Sequence, residues 1–314
     1  MAVRGVLRHP LSLALIAALA AAAVSLSAQS PKVFQFVLSA TDQNGAPVGN
    51  LRPEDVLMSE NGEKQQIARV EALSVPMKLT IAVDNSATSA AALDNFRDGL
   101  AGLVGALPRD VDVTLIAITP QPRTVVKFTT DRTQLLKGIK TFAPEQGAPR
   151  FTDALMEFSQ RLQREAKDRN AAPYLPVIVM VSTASNDHTS YQPKDIAQAV
   201  AFLQARRAKV NLVMVSTQPG DVRTATALGS TMQSIVGRPA AEMTGGRYEE
   251  IGVPARLATL LPEWGKGLAA LHERQKTQFR VTVERTRSGN LQNPRFELAR
   301  PGINGSVTRD GFLP

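Results

Sequence analysis

An apolar run, Leu79-Thr80-Ile81-Ala82-Val83, ends in Asp84-Asn85-Ser86-Ala87-Thr88-Ser89. An aspartate leaving a buried strand, with hydroxyls two and four residues on, converges three oxygens, from Asp84, Ser86 and Thr88, on one point. That donor set suits a hard cation such as Mg²⁺. Asp, Ser and Thr are also good helix N-caps, so the same loop can serve structure alone, with Asp84 capping the helix that follows. A second polar loop, Asn186-Asp187-His188, follows the run Val177–Val181. A different loop conformation would let Asp187 bring another carboxylate to the same point, and His188 could pair with Asp84 for acid/base work. The blander alternatives are a solvated acid and a surface histidine.

Other chemistry is thinly represented. His272-Glu273 begins like a zinc-protease motif, but Lys276 stands where the second histidine belongs. Neither a Gly-x-Ser-x-Gly elbow nor a phosphate-binding glycine loop is present. The chain has three His and no Cys, so thiol nucleophiles, thiolate metal sites and disulfides are excluded. No enzyme is expected.

The elements that must position these loops follow from periodicity. Apolar runs at 79–83, 113–118, 177–181 and 210–215 alternate with helical stripes such as Leu93, Phe96, Leu100, Leu103, Val104 and Leu107. Strands that are apolar on both faces and joined by helices make a doubly wound, mainly parallel α/β sheet, assigned to residues 76–274. Ligands of such sheets sit beyond the carboxyl ends of the strands, where both polar loops lie. Gly245-Gly246 is read as the turn into a last strand near Tyr248–Ile251.

Residues 29–75 alternate instead: Val33, Phe34, Phe36 and Leu38, a turn at Asp42-Gln43-Asn44-Gly45, a strand at Asp55–Met58, and Glu60-Asn61-Gly62-Glu63. Two Asn-Gly turns between β-type runs indicate a small antiparallel β-module. Asp42 and Asn44 lack the further ligands of a calcium loop, so they are assigned to a hairpin turn. Residues 275–314 alternate again, with Phe279, Val281 and Val283, a turn at Arg287-Ser288-Gly289-Asn290, then Phe296, Leu298, Pro301-Gly302 and Val307. This segment can complete the amino-terminal module, making the α/β domain an insertion within one flanking β-module.

Arg4, Arg8 and His9 precede an apolar run from Leu11 to Val24 and the small-residue exit Ser25-Leu26-Ser27-Ala28. A basic start and an apolar run of about 14 residues fit a secretory signal peptide at 1–28 better than a membrane span of about 20. The expected location is therefore secreted, periplasmic or cell-envelope. Membrane contact would come only through an uncleaved leader or surface association. The formal charge is +8, but Lys and Arg are scattered, and three Tyr and one Trp offer little for base stacking. Nucleic acid is not an expected partner.

At Asp84-x-Ser86-x-Thr88 the chain resembles the von Willebrand factor type A domain family, whose metal-ion-dependent adhesion site begins Asp-x-Ser-x-Ser. The resemblance extends to Asp153-Ala154-Leu155 at a helix start and to Thr244-Gly245-Gly246 before the last strand. The flanks resemble the secreted von Willebrand-related proteins common in Acidobacteria. They share Gly45-x-x-Val48-x-x-Leu51-x-x-x-Asp55, Glu60-Asn61-Gly62 and the terminal Arg309-Asp310-Gly311-Phe312.

The resemblance implies a non-catalytic, adhesion-type protein that presents loops at the carboxyl end of the sheet to a protein partner. It also implies metal ligands at Asp84, Ser86 and Thr88. Where the family has a threonine on the second loop this chain has Pro149, and where it has a further aspartate this chain has Thr183. With one carboxylate left, the implied site is degenerate. No cofactor is expected, and Mg²⁺ would bind only weakly, with Asp187 as the one candidate replacement. The alternatives are a metal-free structural or assembly module of a cell-envelope complex and, less favoured, a hydrolase using Asp84 and His188.

Overall fold

Thr80 and Ala82 alternate with Leu79, Ile81 and Val83, and every one of these five side chains is buried. A strand with no solvent face needs cover on both sides, and the computed structural model supplies it. Residues 32–168, 172–185, 187–215, 232–285 and 290–309 are described. The expected leader at 1–28, Asn186, positions 287–289 of the expected turn and positions 310–312 of the terminal pattern lie outside the described residues.

The chain begins with β1 (Lys32–Thr41), β2 (Val56–Glu60), β3 (Glu63–Lys64) and β4 (Gln66–Leu73). There follow β5 (Met77–Val83), α1 (Leu93–Ala106), β6 (Asp112–Ala117), β7 (Arg123–Thr129), α2 (Arg132–Thr141), α3 (Phe151–Glu165) and β8 (Leu175–Thr183). Next come α4 (Pro193–Ala205), β9 (Lys209–Val215), α5 (Met232–Thr244), β10 (Tyr248–Ile251) and α6 (Leu257–Lys276). The last strands are β11 (Gln278–Arg285), β12 (Pro294–Leu298) and β13 (Asn304–Thr308).

Six strands form the central sheet in the order β10-β9-β8-β5-β6-β7, all parallel except β7, which runs antiparallel to β6 at the edge. The α/β architecture expected from the strand and helix alternation is present. β7 has no counterpart among the apolar runs picked out above, because of its seven residues only Val126 is buried.

Side-chain alternation sorts the two layers. Leu79, Ile81, Val83, Val177, Val179 and Val181 meet α1, α2 and α6 on one face, whereas Ala82, Ile178 and Met180 meet α3, α4 and α5 on the other. Phe96, Leu100 and Leu103 are fully buried on α1, each contributing about 1.5–3 kcal/mol of burial. α1 lies very close to α6 at Gly99, where a Cβ would come 2.8 Å from the Leu257 carbonyl oxygen. A larger residue there would force the two helices apart.

The terminal segments pair with each other. β1 lies between β11 and β13, with Phe36 opposite Val281 and Leu38 opposite Val307, and β4 extends the sheet beyond β11. A smaller sheet, β12-β2-β3, closes over it, and Phe36 meets Phe296 at 4.5 Å between ring centroids in a tilted pair. The residues of the amino-terminal pattern have structural work here. Leu51 is buried, Val48 packs on the same core, and Asp55 accepts from the Arg52 N–H (2.8 Å) and the Arg300 guanidinium (2.6 Å). The Arg52 N–H first, and then Arg300, hold the Asp55 carboxyl below its ordinary range. Glu60 and Arg285 form a buried bidentate pair (2.7 and 3.1 Å) that ties the two sheets together. Asn61 and Gly62 both take positive φ (49° and 83°) in the turn from β2 to β3, which is why a glycine follows the asparagine. At the other turn, Asp42 Oδ1 accepts from the N–H groups of Asn44 (2.9 Å) and Ala46 (2.8 Å).

Candidate functional site

β5 delivers Asp84 to the carboxyl end of the sheet between β8 and β6, and the side chain is fully buried. Its carboxylate receives four hydrogen bonds. Oδ1 accepts from Ser86 N–H (2.9 Å), and Oδ2 accepts from Thr183 N–H (3.0 Å), Thr183 Oγ1 (2.8 Å) and Ser182 Oγ (3.2 Å). An ionised carboxylate has about four lone-pair positions, two on each oxygen, so Oδ2 is crowded by three donors while Oδ1 keeps one position open. Three of the four come from the end of β8, the neighbouring strand.

The hydroxyls continue the network. Ser86 Oγ and Thr88 Oγ1 are 2.7 Å apart, and Thr88 Oγ1 is 3.3 Å from Thr183 Oγ1. Ser86 is buried and Thr88 is exposed, so the chain of hydroxyls leads from the buried acid to the surface. Ser89 Oγ donates to the Ser86 carbonyl (2.8 Å) and closes the turn into a short 3₁₀ segment, Ala87–Ala92. Asp84 therefore bonds the loop and the neighbouring strand rather than capping the helix.

Asn85 is a loop-fastening position that the residue patterns did not single out. It is fully buried, its Nδ2 donates to the Ala143 carbonyl (3.0 Å), and its Oδ1 accepts from Thr119 N–H (3.1 Å). It thereby fastens the loops after β6 and α2 to the loop after β5. An asparagine between two oxygen-bearing residues at a strand exit is the only local signal of this role.

Asp187 faces another target. Its two oxygens accept from the N–H groups of Phe151 (2.8 Å) and Thr152 (3.0 Å), so it caps α3 from a loop 36 residues away. Burial pushes its carboxyl above the ordinary carboxylate range, against the pull of those donors. Pro149 is buried just before α3 and offers only its carbonyl, which accepts from His188 N–H (3.2 Å). The His188 side chain is exposed, its carbonyl takes the Arg150 guanidinium, and it shares no hydrogen bond with Asp84. Asp153 in the first turn of α3 accepts from Thr189 Oγ1 (2.7 Å) and lies 3.5 Å from Arg150.

Whether this arrangement could hold a divalent cation turns on free oxygens. Mg²⁺ demands six near-octahedral oxygens and Ca²⁺ six to eight. Here the one carboxylate facing the hydroxyls already takes four donors and keeps one open position on Oδ1, the hydroxyls bond one another, and Pro149 adds no side-chain oxygen. The second carboxylate is occupied by a helix end. With a single carboxylate, most of whose lone pairs are taken, the donor set is a poor match for a divalent cation.

Among the described residues one other group gathers potential ligands: Asp110, His272 and Glu273, whose ligand atoms lie within 4.8 Å of one another. Met77 N–H donates to His272 Nδ1 (3.1 Å), which assigns the ring proton to Nε2, 3.3 Å from Asp110 Oδ2. Lys276 Nζ sits 2.5 Å from the same oxygen and 3.7 Å from Glu273. A protonated ring nitrogen and an ammonium already satisfy the carboxylates, so the cluster is an ion-pair network. Asp110 is held down to about 2, chiefly by the Lys276 hydrogen bond, with burial opposing and His272 adding to it.

The Thr-Gly-Gly segment is structural. Thr244 Oγ1 accepts from Val210 N–H (3.0 Å), and Gly245 takes φ +66°. At Gly246 a Cβ would fall 1.9 Å from the Val210 carbonyl oxygen, so only glycine fits where the chain enters β10.

Residues 79–185 match the von Willebrand factor type A domain family. Among solved structures, a von Willebrand factor type A protein from Catenulispora acidiphila is 12% identical over 90% of this chain and 73% of that chain, with a TM-score of 0.48. The VWA domain of SpRpn10 is 14% identical over 59% of this chain and 95% of that chain, with a TM-score of 0.42. Proximal thread matrix protein 1 from the mussel byssus, solved with a zinc-occupied MIDAS motif, is 14% identical over 64% of this chain and 49% of that chain, with a TM-score of 0.45. No curated protein sequence matches the chain.

Proposed function

We propose that this chain, whose residues 79–185 match the von Willebrand factor type A domain family, is an exported, non-catalytic protein-binding protein whose adhesion site works without a metal. Domains of this family generally mediate protein–protein interaction. The observation that carries the metal-free reading is the Asp84 carboxylate, which takes four hydrogen bonds from Ser86, Ser182 and Thr183. Thr183 stands where the family resemblance implies a second carboxylate, and its hydroxyl makes a latch with the first. The latch holds the loops after β5 and β8 together without an ion, and Asn85 fastens the loop after α2 to them. Their outer surface, with Thr88, Gly147 and His188 exposed, is the face offered to a partner protein.

Export rests on the basic start and the apolar run 11–24. No helix among the described residues is long and apolar enough to cross a membrane.

The test is the melting temperature of residues 29–314 in millimolar Mg²⁺, Mn²⁺ or Ca²⁺ and in chelator. A ligand that binds only the folded state raises stability by mass action, so a metal-free site gives coincident melts. A rise of several degrees that Asp84→Ala abolishes would overturn the reading.

A further inference from the structure

The opposite, amino-terminal edge of the sheet has a concavity of its own, of about 150 Å³, between β9, the entry to β10 and α6. Lys209, Asn211, Arg247, Trp264, Gly267 and Arg274 are among its walls. Three of these residues are cationic, and no Asp or Glu lines the cavity.

The cations have few partners. Lys209 is 9% exposed and donates to the Gly245 carbonyl at 3.3 Å. Arg274 Nε is buried without a hydrogen-bond acceptor. None of the three forms an ion pair among the described residues. Asn211 fixes the geometry, accepting from Arg247 N–H (3.1 Å) while its amide donates to Ile178 (3.2 Å). Gly267 lets the Arg247 guanidinium lie against α6, since a Cβ there would sit 3.2 Å from Arg247 Nη2. Burial lowers the Lys209 ammonium below its ordinary range, and the nearby Arg274 charge adds to that.

Like charges gathered around one concavity, with Lys209 buried among them, are costly unless an anion completes them. Two guanidinium forks and an ammonium match the several oxygens of a tetrahedral oxyanion, to which arginine binds in bidentate fashion. The space is smaller than the roughly 300–1,000 Å³ of a typical small-molecule site, which favours an ion or a terminal phosphoryl group over a larger ligand. We infer that this cavity binds a phosphate-type oxyanion through Lys209, Arg247 and Arg274. The inference is independent of the loops at the other end of the sheet.

The experiment is a thermal-shift titration of the full chain with inorganic phosphate against chloride at matched ionic strength. Arg274→Ala and Arg247→Ala are compared with Lys137→Ala, a charge removed from an exposed position on α2. Phosphate should stabilise the unsubstituted chain and Lys137→Ala equally, and each arginine substitution should raise the half-saturating phosphate about tenfold. Arg247 is exposed, so its substitution leaves the fold intact if Arg274→Ala does not. Stabilisation no greater than that of chloride, or the same phosphate dependence in Arg247→Ala, would overturn the assignment. Vesicles containing phosphatidate separate the sources. Sedimentation with them that phosphate competes away and Arg247→Ala abolishes assigns a lipid headgroup, and phosphate binding without sedimentation assigns the free ion.

Discussion

Thr183 Oγ1 donates to Asp84 Oδ2 across 2.8 Å, joining residues 99 positions apart at the ends of adjacent parallel strands. The carboxylate is the acceptor that closes the end of β8 onto the end of β5. An aspartate at position 183 would have repelled Asp84 without a cation between them. A threonine attracts it.

Thr183→Val keeps shape and removes that donor from a fully buried carboxylate, so it should cost about 1–3 kcal/mol. Asp84→Asn places a donor amide among existing donors and should cost about 3 kcal/mol, more than the 1 kcal/mol of a simple cap. Urea unfolding of both variants measures this. Values below about 0.5 kcal/mol for both would show that the latch contributes nothing.

Thr183→Asp combined with Pro149→Thr restores the oxygens that the family pattern has at these positions. The double variant should melt below the unsubstituted chain in chelator, because two carboxylates then face each other, and should recover in Mg²⁺. Melts in both media are the measurement. Indifference of the variant to Mg²⁺ would mean that features other than these two positions keep an ion out.

Asp187→Ala removes the acceptor for Phe151 and Thr152 at the start of α3, with an expected loss of about 1 kcal/mol. The folded-state pKa of Asp187 lies above the ordinary 3.8. The folded state thus binds more protons just above pH 3.8, and this group's share of stability falls as pH rises through that interval. The Ala variant should lack that decline, which a series of melts from pH 3.5 upward would reveal.

Asp110 acts in the opposite sense. Its pKa is held to about 2, so its contribution is full above the unfolded value near 4 and disappears as pH falls from there towards 2. The carboxylate is half exposed, so the effect is about 1 kcal/mol or less. Asp110→Asn should flatten the stability profile in that window, and an unchanged acid limb would remove Asp110 from the account.

Glu60→Ala leaves Arg285 buried beside a vacancy between the two small sheets. Loss of one member of such a pair costs about 3–5 kcal/mol. The denaturation midpoint should fall accordingly, and Arg285→Met with Glu60→Leu should recover much of the loss. A midpoint unchanged by Glu60→Ala would show that the pair is not holding the sheets together.

Much of this protein can be traced to short-range pattern. Apolar runs such as 177–181 specify strands covered on both faces, and the three- and four-residue spacing of Leu93, Phe96, Leu100 and Leu103 specifies one buried helical face. Asn61-Gly62 and Gly245-Gly246 specify turns that only those residues adopt easily. Each of these follows from geometry within about ten residues, where periodicity and backbone sterics decide. The order of the strands did not follow, although the pairing of the two terminal segments could be anticipated. Phe279, Val281 and Val283 announced a strand, but only assembly set β11 between β1 and β4. β7, with a single buried residue, gave no such signal. The pattern at Asp84, Ser86 and Thr88 reads alike for an ion site and a capped loop, because oxygens at that spacing serve both. What separates them is how much of the accepting capacity of Asp84 is already used, and three of its four donors lie on another strand. Asp187 likewise turned from the loop to a distant helix end. Local spacing determines which groups can converge, and only the folded chain determines which of them have already been satisfied.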